Sequence, residues 1–315
     1  MVSGRVVVAV LSLLGCGGDD DGGGARADAA GGVDAARLAD SGNPDAVDLD
    51  GALVAGCADL EFELAGTVID ALSDDGDNQD IPVALTPDAT TVLVQRGEGC
   101  GTYAALVADA VSPGPDTYDL VDATTQLTSA GLDPTVERTM TILPNGFTIV
   151  GVVPDGRQFA ASTRSALGLA DFGAANGAGF ELLAAAAGQE LRDPVVSSDG
   201  LAFYYTLLDD DEPAIAGVYE SVRDSVADPF PAGTRMPAAV QAAGIITGIS
   251  SDRLVLFLEE DLTASALARA TIDDPFDTPV PLPGFRIRPT ADCAALIGSC
   301  TAAGCTGEEV CRYLH

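Results

Sequence analysis

Five times along the chain a short polar turn built on Asp or Asn interrupts apolar sequence, and each is followed by a run of aliphatic and β-branched residues. The turns are Leu85-Thr-Pro-Asp88-Ala, Ile142-Leu-Pro-Asn145-Gly, Val196-Ser-Ser-Asp199-Gly, Ile249-Ser-Ser-Asp252-Arg and Pro289-Thr-Ala-Asp292-Cys, with anchors 57, 54, 53 and 40 residues apart. An Asp or Asn side chain hydrogen-bonds the backbone two residues on, and Gly accepts positive φ, so these are reversal points between paired strands. A single unit of this kind leaves an apolar face uncovered. Five of them call for an architecture in which the copies bury one another.

The strands that follow the turns are expected at 91–95, 147–151, 201–208, 254–258 and 294–298. After a polar loop each unit supplies a second strand, at 104–108, 158–164, 218–223, 266–272 and 310–314. Three units then share a further mark: Ala170-Asp-Phe172, Ala227-Asp-Pro-Phe230 and Asp273-Asp-Pro-Phe276. Asn145, Arg253 and Cys293 depart from an Asp-Gly pair, which predicts mixed turn types.

Four short strands per repeat at this period fit a propeller blade. The pattern resembles the TolB-like, WD-like propeller repeat of bacterial envelope proteins, whose core reads roughly Pro-x-Leu-Ser-Pro-Asp-Gly before an aliphatic-aromatic strand. The resemblance covers most of residues 57–315. It implies an all-β propeller of five blades, each a four-stranded antiparallel sheet, or six if a degenerate unit hides in a long spacing. Strand pattern alone also suits a Greek-key sandwich. Only 23 residues follow Asp292, room for two strands. Segment 59–70 is therefore expected to complete the last blade as its outer strand and so remove an exposed sheet edge.

Residues 1–15 read as a signal peptide: Arg5 precedes the apolar run 6–14, which is far short of the roughly 20 residues a membrane-spanning helix needs. Leu13-Leu14-Gly15-Cys16 resembles the lipobox of bacterial lipoproteins, which implies a lipidated Cys16 as the mature N-terminus and an exported chain anchored to the cell envelope, with the outer membrane the expected site. The alternative is an ordinary secretory signal cut elsewhere. Residues 16–56 collapse to Gly, Ala and Asp without an aromatic residue. Such a stretch cannot offset the entropy of ordering and reads as a tether with a span of roughly 35 Å.

Residues 57–315 hold 39 acidic residues and 12 arginines, and the chain has no lysine. This excludes nucleic acid and anionic head groups as partners and favours basic or cationic ones. Apart from Cys16, six cysteines remain: Cys57, Cys100, Cys293, Cys300, Cys305 and Cys311. In an exported chain an even set reads as three disulfides, with 15 possible connectivities. The spacings of the last four do not match a zinc knuckle.

No catalytic constellation is visible. The single His is His315, at the terminus, and G-x-S-x-G, P-loop and H-E-x-x-H motifs are absent. The acidic stretches 73–80 and 209–212 leave room for loosely bound calcium, although an EF-hand register fails because Thr86 falls where the bidentate Glu belongs. The expected function is a tethered monomeric binding scaffold for an envelope protein, peptide or glycan, not an enzyme. The alternative is a hydrolase or lyase with its site in the central channel. Partner binding is expected on the face that carries the loops between second and third strands, where acids recur; the candidates are Asp209, Asp210, Asp211, Glu212, Glu259 and Glu260.

Overall fold

The structure is a computed structural model that describes Phe62 and residues 65–73, 78–97, 103–111, 117–209, 211–260, 263–290, 293–300 and 309–314. All of these belong to the second of two compact units, residues 47–315. The signal segment, Cys16 and tether residues up to 46 fall in the first, and all of residues 1–56 lie outside the described residues. The described chain opens with β1 (Thr67–Val68) and then lays down five sheets in succession.

Blade 1 is β2 (Gln79–Leu85), β3 (Thr91–Gly97), β4 (Ala104–Ala110) and β5 (Tyr118–Asp122). In blade 2, β6 (Met140–Ile142), β7 (Thr148–Val152) and β8 (Phe159–Thr163) are followed by a single bridge, Ala161 to Asn176, where a fourth strand would lie. Blade 3 is β9 (Gln189–Val196), β10 (Ala202–Asp209), β11 (Gly217–Val222) and β12 (Thr234–Arg235). Blade 4 is β13 (Ile245–Ile249), β14 (Val255–Glu260), β15 (Thr263–Ala268) and β16 (Val280–Pro281). Blade 5 is β17 (Phe285–Pro289), β18 (Ala295–Cys300) and β19 (Glu309–Leu314), and β1 is its outer strand, with Thr67 opposite Arg312. Every pairing within the sheets is antiparallel. This is a five-bladed β-propeller, closed as expected by the N-terminal strand, of which Thr67 and Val68 pair among the described residues.

The inner strands β2, β6, β9, β13 and β17 contact one another in ring order. Five apolar clusters lie between consecutive blades, one per interface. Ile81, Leu93 and Met140 join blade 1 to 2; Phe159, Phe203 and Phe230 join 2 to 3; Tyr204, Val240 and Leu256 join 3 to 4; Phe257, Ile287 and Tyr313 join 4 to 5; Ile69, Val92 and Ile297 close 5 onto 1. The second strand of each blade is covered on both faces, which is why 92–94 and 254–258 read as unbroken apolar runs. Blade 4's third strand begins three residues before the expected position, at Thr263.

The turns explain the repeat. In blade 1 the Asp88 carboxylate accepts from the Thr90 backbone N–H at 3.0 Å and from the Thr86 hydroxyl at 2.9 Å, while the same hydroxyl accepts from Thr91 N–H at 2.9 Å. Asp252 and Ser250 repeat this with Leu254 and Val255, both at 2.9 Å. The residue after the anchor is left-handed in all five turns: Ala89, Gly146, Gly200, Arg253 and Cys293 have φ of 55°, 69°, 69°, 59° and 53°. The predicted mixture of turn types is therefore wrong. Side-chain bonds to both strands hold one geometry and carry the cost of positive φ at Ala89, Arg253 and Cys293.

The Phe mark has an equally local cause. An Arg at or just past the end of the third strand donates to a carbonyl of the blade's own turn and lies over that Phe. Arg223 donates to Gly200 O at 3.0 Å and sits 4.1 Å from the Phe230 ring; Arg269 donates to Arg253 O at 2.9 Å and sits 4.5 Å from Phe276. In blade 2 Arg164 donates to Gly146 O at 2.8 Å, 6.0 Å from Phe172. Each clasp ties the end of the third strand to the turn between the first two.

Candidate functional site

The inner strands converge on a central channel, and its two ends differ in chemistry. Counting back four residues from each turn's Asp or Asn anchor gives Ala84, Thr141, Val195, Gly248 and Arg288. They pair with equivalent second-strand residues, Leu93, Val150, Tyr204, Phe257 and Ile297. These five form one ring around a pocket of about 50 Å³, whose mouth is formed on the turn side by Pro87, Pro144 and Ser198. The ring is tight: a Cβ on Gly248 would stand 2.3 Å from Pro289 Cδ. Bulges in four inner strands, at Val83, at 193–194, at Thr247 and at 286–287, break the regular alternation just ahead of this layer.

Among the described residues Arg288 is the only charged one lining the pocket. Its Nε donates to Val83 O at 2.7 Å and its Nη1 to Ile287 O at 3.1 Å, which fixes the guanidinium across the junction of blades 5 and 1. Burial pushes it down to about 9; Arg138 and Arg286 add repulsion, while Glu259 and Asp193 pull the other way. A guanidinium at that value remains a cation at neutral pH. Thr141, Ser198 and Thr247 supply hydroxyls to the lining, and the buried Thr247 hydroxyl has no hydrogen-bond partner among the described residues.

Toward the loop end lies an ionic layer. Arg138 Nη2 is 2.6 Å from Glu259 Oε1, and Arg138 Nε and Arg286 Nη2 are each 3.1 Å from Glu137 Oε1. Blades 2 and 4, and blades 2 and 5, are not ring neighbours, so the Arg138–Glu259 and Arg286–Glu137 pairs cross the channel. Gln95 supports the layer by accepting from Arg138 N–H at 2.8 Å and donating to Val136 O at 2.7 Å. Burial opposes the Arg138 charge, but Glu259, Asp193 and Glu137 outweigh it and raise its pKa. Asp193 is pushed up by burial against the pull of Arg138. It is surrounded by protein yet retains accessible surface, the combination expected of a side chain lining a narrow channel. Arg138, Asp193 and Arg286 all have positive φ, at 59°, 50° and 56°.

These findings redistribute the predicted site residues. Glu259 is not a rim acid: it is buried, holds Arg138 and accepts from Arg286 N–H at 2.9 Å. Asp209 is half-buried and organises its own loop, accepting from the N–H groups of Asp211 and Glu212 at 2.9 and 2.7 Å and from Gln189 at 2.9 Å. Asp211, Glu212 and Glu260 are exposed, and Asp210 lies outside the described residues. Cys300 and Cys311 are disulfide-bonded across adjacent strands, with Cα atoms 5.8 Å apart, and Cys293 is disulfide-bonded as well. Cys16, Cys57, Cys100 and Cys305 are outside the described residues. No cluster of three or more metal-ligating side chains is gathered among the described residues. Asp80, from one proposed calcium stretch, is buried 2.5 Å from Arg96. No described helix is long and apolar enough to cross a membrane.

Sequence reasoning missed Arg288. Its signal was an arginine in a column otherwise occupied by Ala, Thr, Val and Gly, visible only after the repeats are aligned on their turns.

No family model matches the chain, and no curated protein matches it. Among solved structures, TolB from Acinetobacter baumannii is 14% identical with a TM-score of 0.39, over 75% of this chain and 54% of that one. A candidate 6-phosphogluconolactonase from Bacteroides uniformis is 12% identical with a TM-score of 0.39, over 70% and 78%. An oligogalacturonate lyase in complex with manganese is 10% identical with a TM-score of 0.34, over 73% and 64%. At these values the propeller assignment rests on the strand pairing above, not on the likenesses.

Proposed function

We propose that this chain is a binding scaffold of the bacterial cell envelope, lipid-anchored through Cys16 and tethered by residues 16–56, whose ligand seats in the channel mouth on the turn side. The observation that carries the reading is the convergence of all five inner strands on one pocket lined by three hydroxyl side chains and a single buried guanidinium. That set orients a ligand by hydrogen bonds. Among the described residues the lining holds no carboxylate, imidazole or thiol that could act as base or nucleophile, which supports binding over hydrolysis or elimination. The exposed acids Asp211, Glu212 and Glu260 form, on this reading, a second surface for a cationic partner on the loop face.

Ser198→Trp tests the channel mouth, because Ser198 lies at the pocket's rim and is half-exposed. Small acids, sugars and short peptides would be screened by thermal shift against the full-length chain and this variant. Ligands that stabilise the parent should lose their effect in Ser198→Trp. If every ligand acts equally on both, the mouth is not the site.

A further inference from the structure

We propose that the channel mouth binds a small carboxylate and that Arg288 holds its charge. This rests on the channel-mouth reading and adds the ligand's chemistry.

Buried guanidinium groups are matched by carboxylates because an unpaired charge out of water is costly. Arg138, Arg164 and Arg286 obey this, with carboxylate oxygens at 2.6, 2.6 and 3.1 Å. Arg288 does not. It is 7% exposed, and no carboxylate of the described residues lies within ion-pair distance. Its Nε and Nη1 are committed to main-chain carbonyls, and Nη2 donates to no described residue. The fork is thus oriented by backbone while one nitrogen is left for something else, in a residue that lines an open pocket.

The rest of the lining narrows the choice. Thr247 is 1% exposed with an unpartnered hydroxyl, and it stands in the same lining as Arg288. One guanidinium nitrogen and one hydroxyl are two donor groups, which match the two oxygens of a carboxylate. The walls are otherwise largely apolar, with Val83, Leu85, Ile142 and Val195 suited to a hydrocarbon stem. A pocket of about 50 Å³ holds roughly three to five waters, at about 10–15 Å³ each. Acetate, with four heavy atoms, falls in that range, and a much longer acid would extend through the mouth. A phosphate monoester brings about −1.5 to −2 charges and three oxygens, more than one guanidinium can balance with Glu259 and Asp193 close behind it.

A carboxylate here could belong to a free small acid or to the C-terminus of a peptide. Ligand-observed NMR titrations of the full-length chain would use sodium acetate, its neutral isostere acetamide, inorganic phosphate, and an N-acetylated dipeptide as free acid and as amide. Acetate should bind with a Kd of roughly a millimolar, as fits four heavy atoms. Acetamide, phosphate and the peptide amide should be at least tenfold weaker. A peptide acid more than tenfold tighter than acetate identifies a chain terminus as the ligand; equal affinities identify a free acid.

Two variants test the residues. Arg288→Met should abolish carboxylate binding. Because it also strips a donor from Val83 O, Thr247→Val is the second probe: it removes a hydroxyl with no partner, so the fold should be as stable or more so while affinity drops about three- to tenfold. A purely structural Arg288 predicts no effect of Thr247→Val on binding. Equal binding of acetate and acetamide, or unchanged carboxylate affinity in Thr247→Val, overturns the proposal. If Ser198→Trp blocks only uncharged ligands, the channel mouth survives as the site and the carboxylate does not.

Discussion

Arg164→Ala is expected to cause the largest loss of stability of any clasp substitution, for a reason the other clasps do not share. Arg164 is fully buried and grips Asp109 with both Nη atoms at 2.6 Å, tying the third strand of blade 1 to that of blade 2. It also donates to Gly146 O and Leu169 O. Asp109 accepts from Thr91 Oγ1 and Gly168 N–H as well, each at 2.7 Å. Burial alone would raise the Asp109 pKa; the bonds from Arg164, Thr91 and Gly168 more than reverse that and hold it below the usual value. Removing one partner of such a pair costs about 3–5 kcal/mol, and the lower end applies here because the loop beside it is exposed. At roughly 2–4 °C per kcal/mol, the melting temperature should drop by about 6–12 °C. Arg223→Ala, which loses carbonyl bonds and a cation–π contact, should cost only about 1 kcal/mol. The pH dependence separates the causes. A carboxylate with a depressed folded pKa contributes stability that is present above its unfolded value and lost as pH falls toward the folded one. Without Arg164 the buried Asp109 favours its protonated form, so the cost of Arg164→Ala should be full near neutrality and shrink as Asp109 titrates. Urea denaturation of parent, Arg164→Ala, Arg223→Ala and Arg164→Met/Asp109→Leu would measure all of this. Equal costs for the two alanine variants, or a cost independent of pH, would refute the argument.

Gly248→Ala should cost about 1–3 kcal/mol, since its Cβ has no room against Pro289, whereas Gly151→Ala meets only the flexible Met140 and Leu132 side chains and should be milder; calorimetry would compare them. Asp193→Asn should stabilise, and increasingly as pH rises: burial lifts the folded pKa, so the parent loses stability as pH climbs through the Asp193 titration, and a flat difference across pH contradicts this. Cys16→Ser should move the protein from the membrane fraction to the soluble one, and unchanged fractionation would remove the anchor. Changing Asp211 and Glu212 to Asn and Gln should weaken capture of a cationic partner in salt-sensitive pull-downs; capture unaffected by both substitution and salt would dismiss the loop face.

Much of the ring was legible because its repeating parts are local. Asp88, Asn145, Asp199 and Asp252 work through bonds to residues two or three positions on, so each turn is complete within a short window. The second strands were legible because burial on both faces leaves predominantly apolar runs. The closing strand was expected at 59–70; Thr67 and Val68 pair with β19, and residues 59–61, 63 and 64 of that segment lie outside the described residues. The inner strands carried no comparable signal. They mix Pro, Thr, Arg and Gly, and their bulges shift the side-chain alternation partway along, so no single period describes them. Glu259 was misassigned for a related reason: adjacent to the exposed Glu260 in sequence, it points the other way and meets an arginine 121 residues distant.

A ring of near-equivalent blades has an approximate symmetry axis along its channel, and a symmetric channel cannot orient an asymmetric ligand. Specificity must therefore come from columns where the repeats disagree. The turn column does not disagree in geometry, and the second-strand column varies only among apolar residues packed between blades. The inner column does: Ala84, Thr141, Val195 and Gly248 make one side of the ring small or apolar, and Arg288 places a cation on the other. At the loop end the asymmetry is larger, because Arg138 and Glu259 bind across the axis and commit that end to holding the ring together. The two ends thus divide the work. Charges that satisfy one another stabilise the loop end, and on the proposed reading Arg288, with no carboxylate of the described residues within ion-pair distance, is completed by a ligand at the turn end.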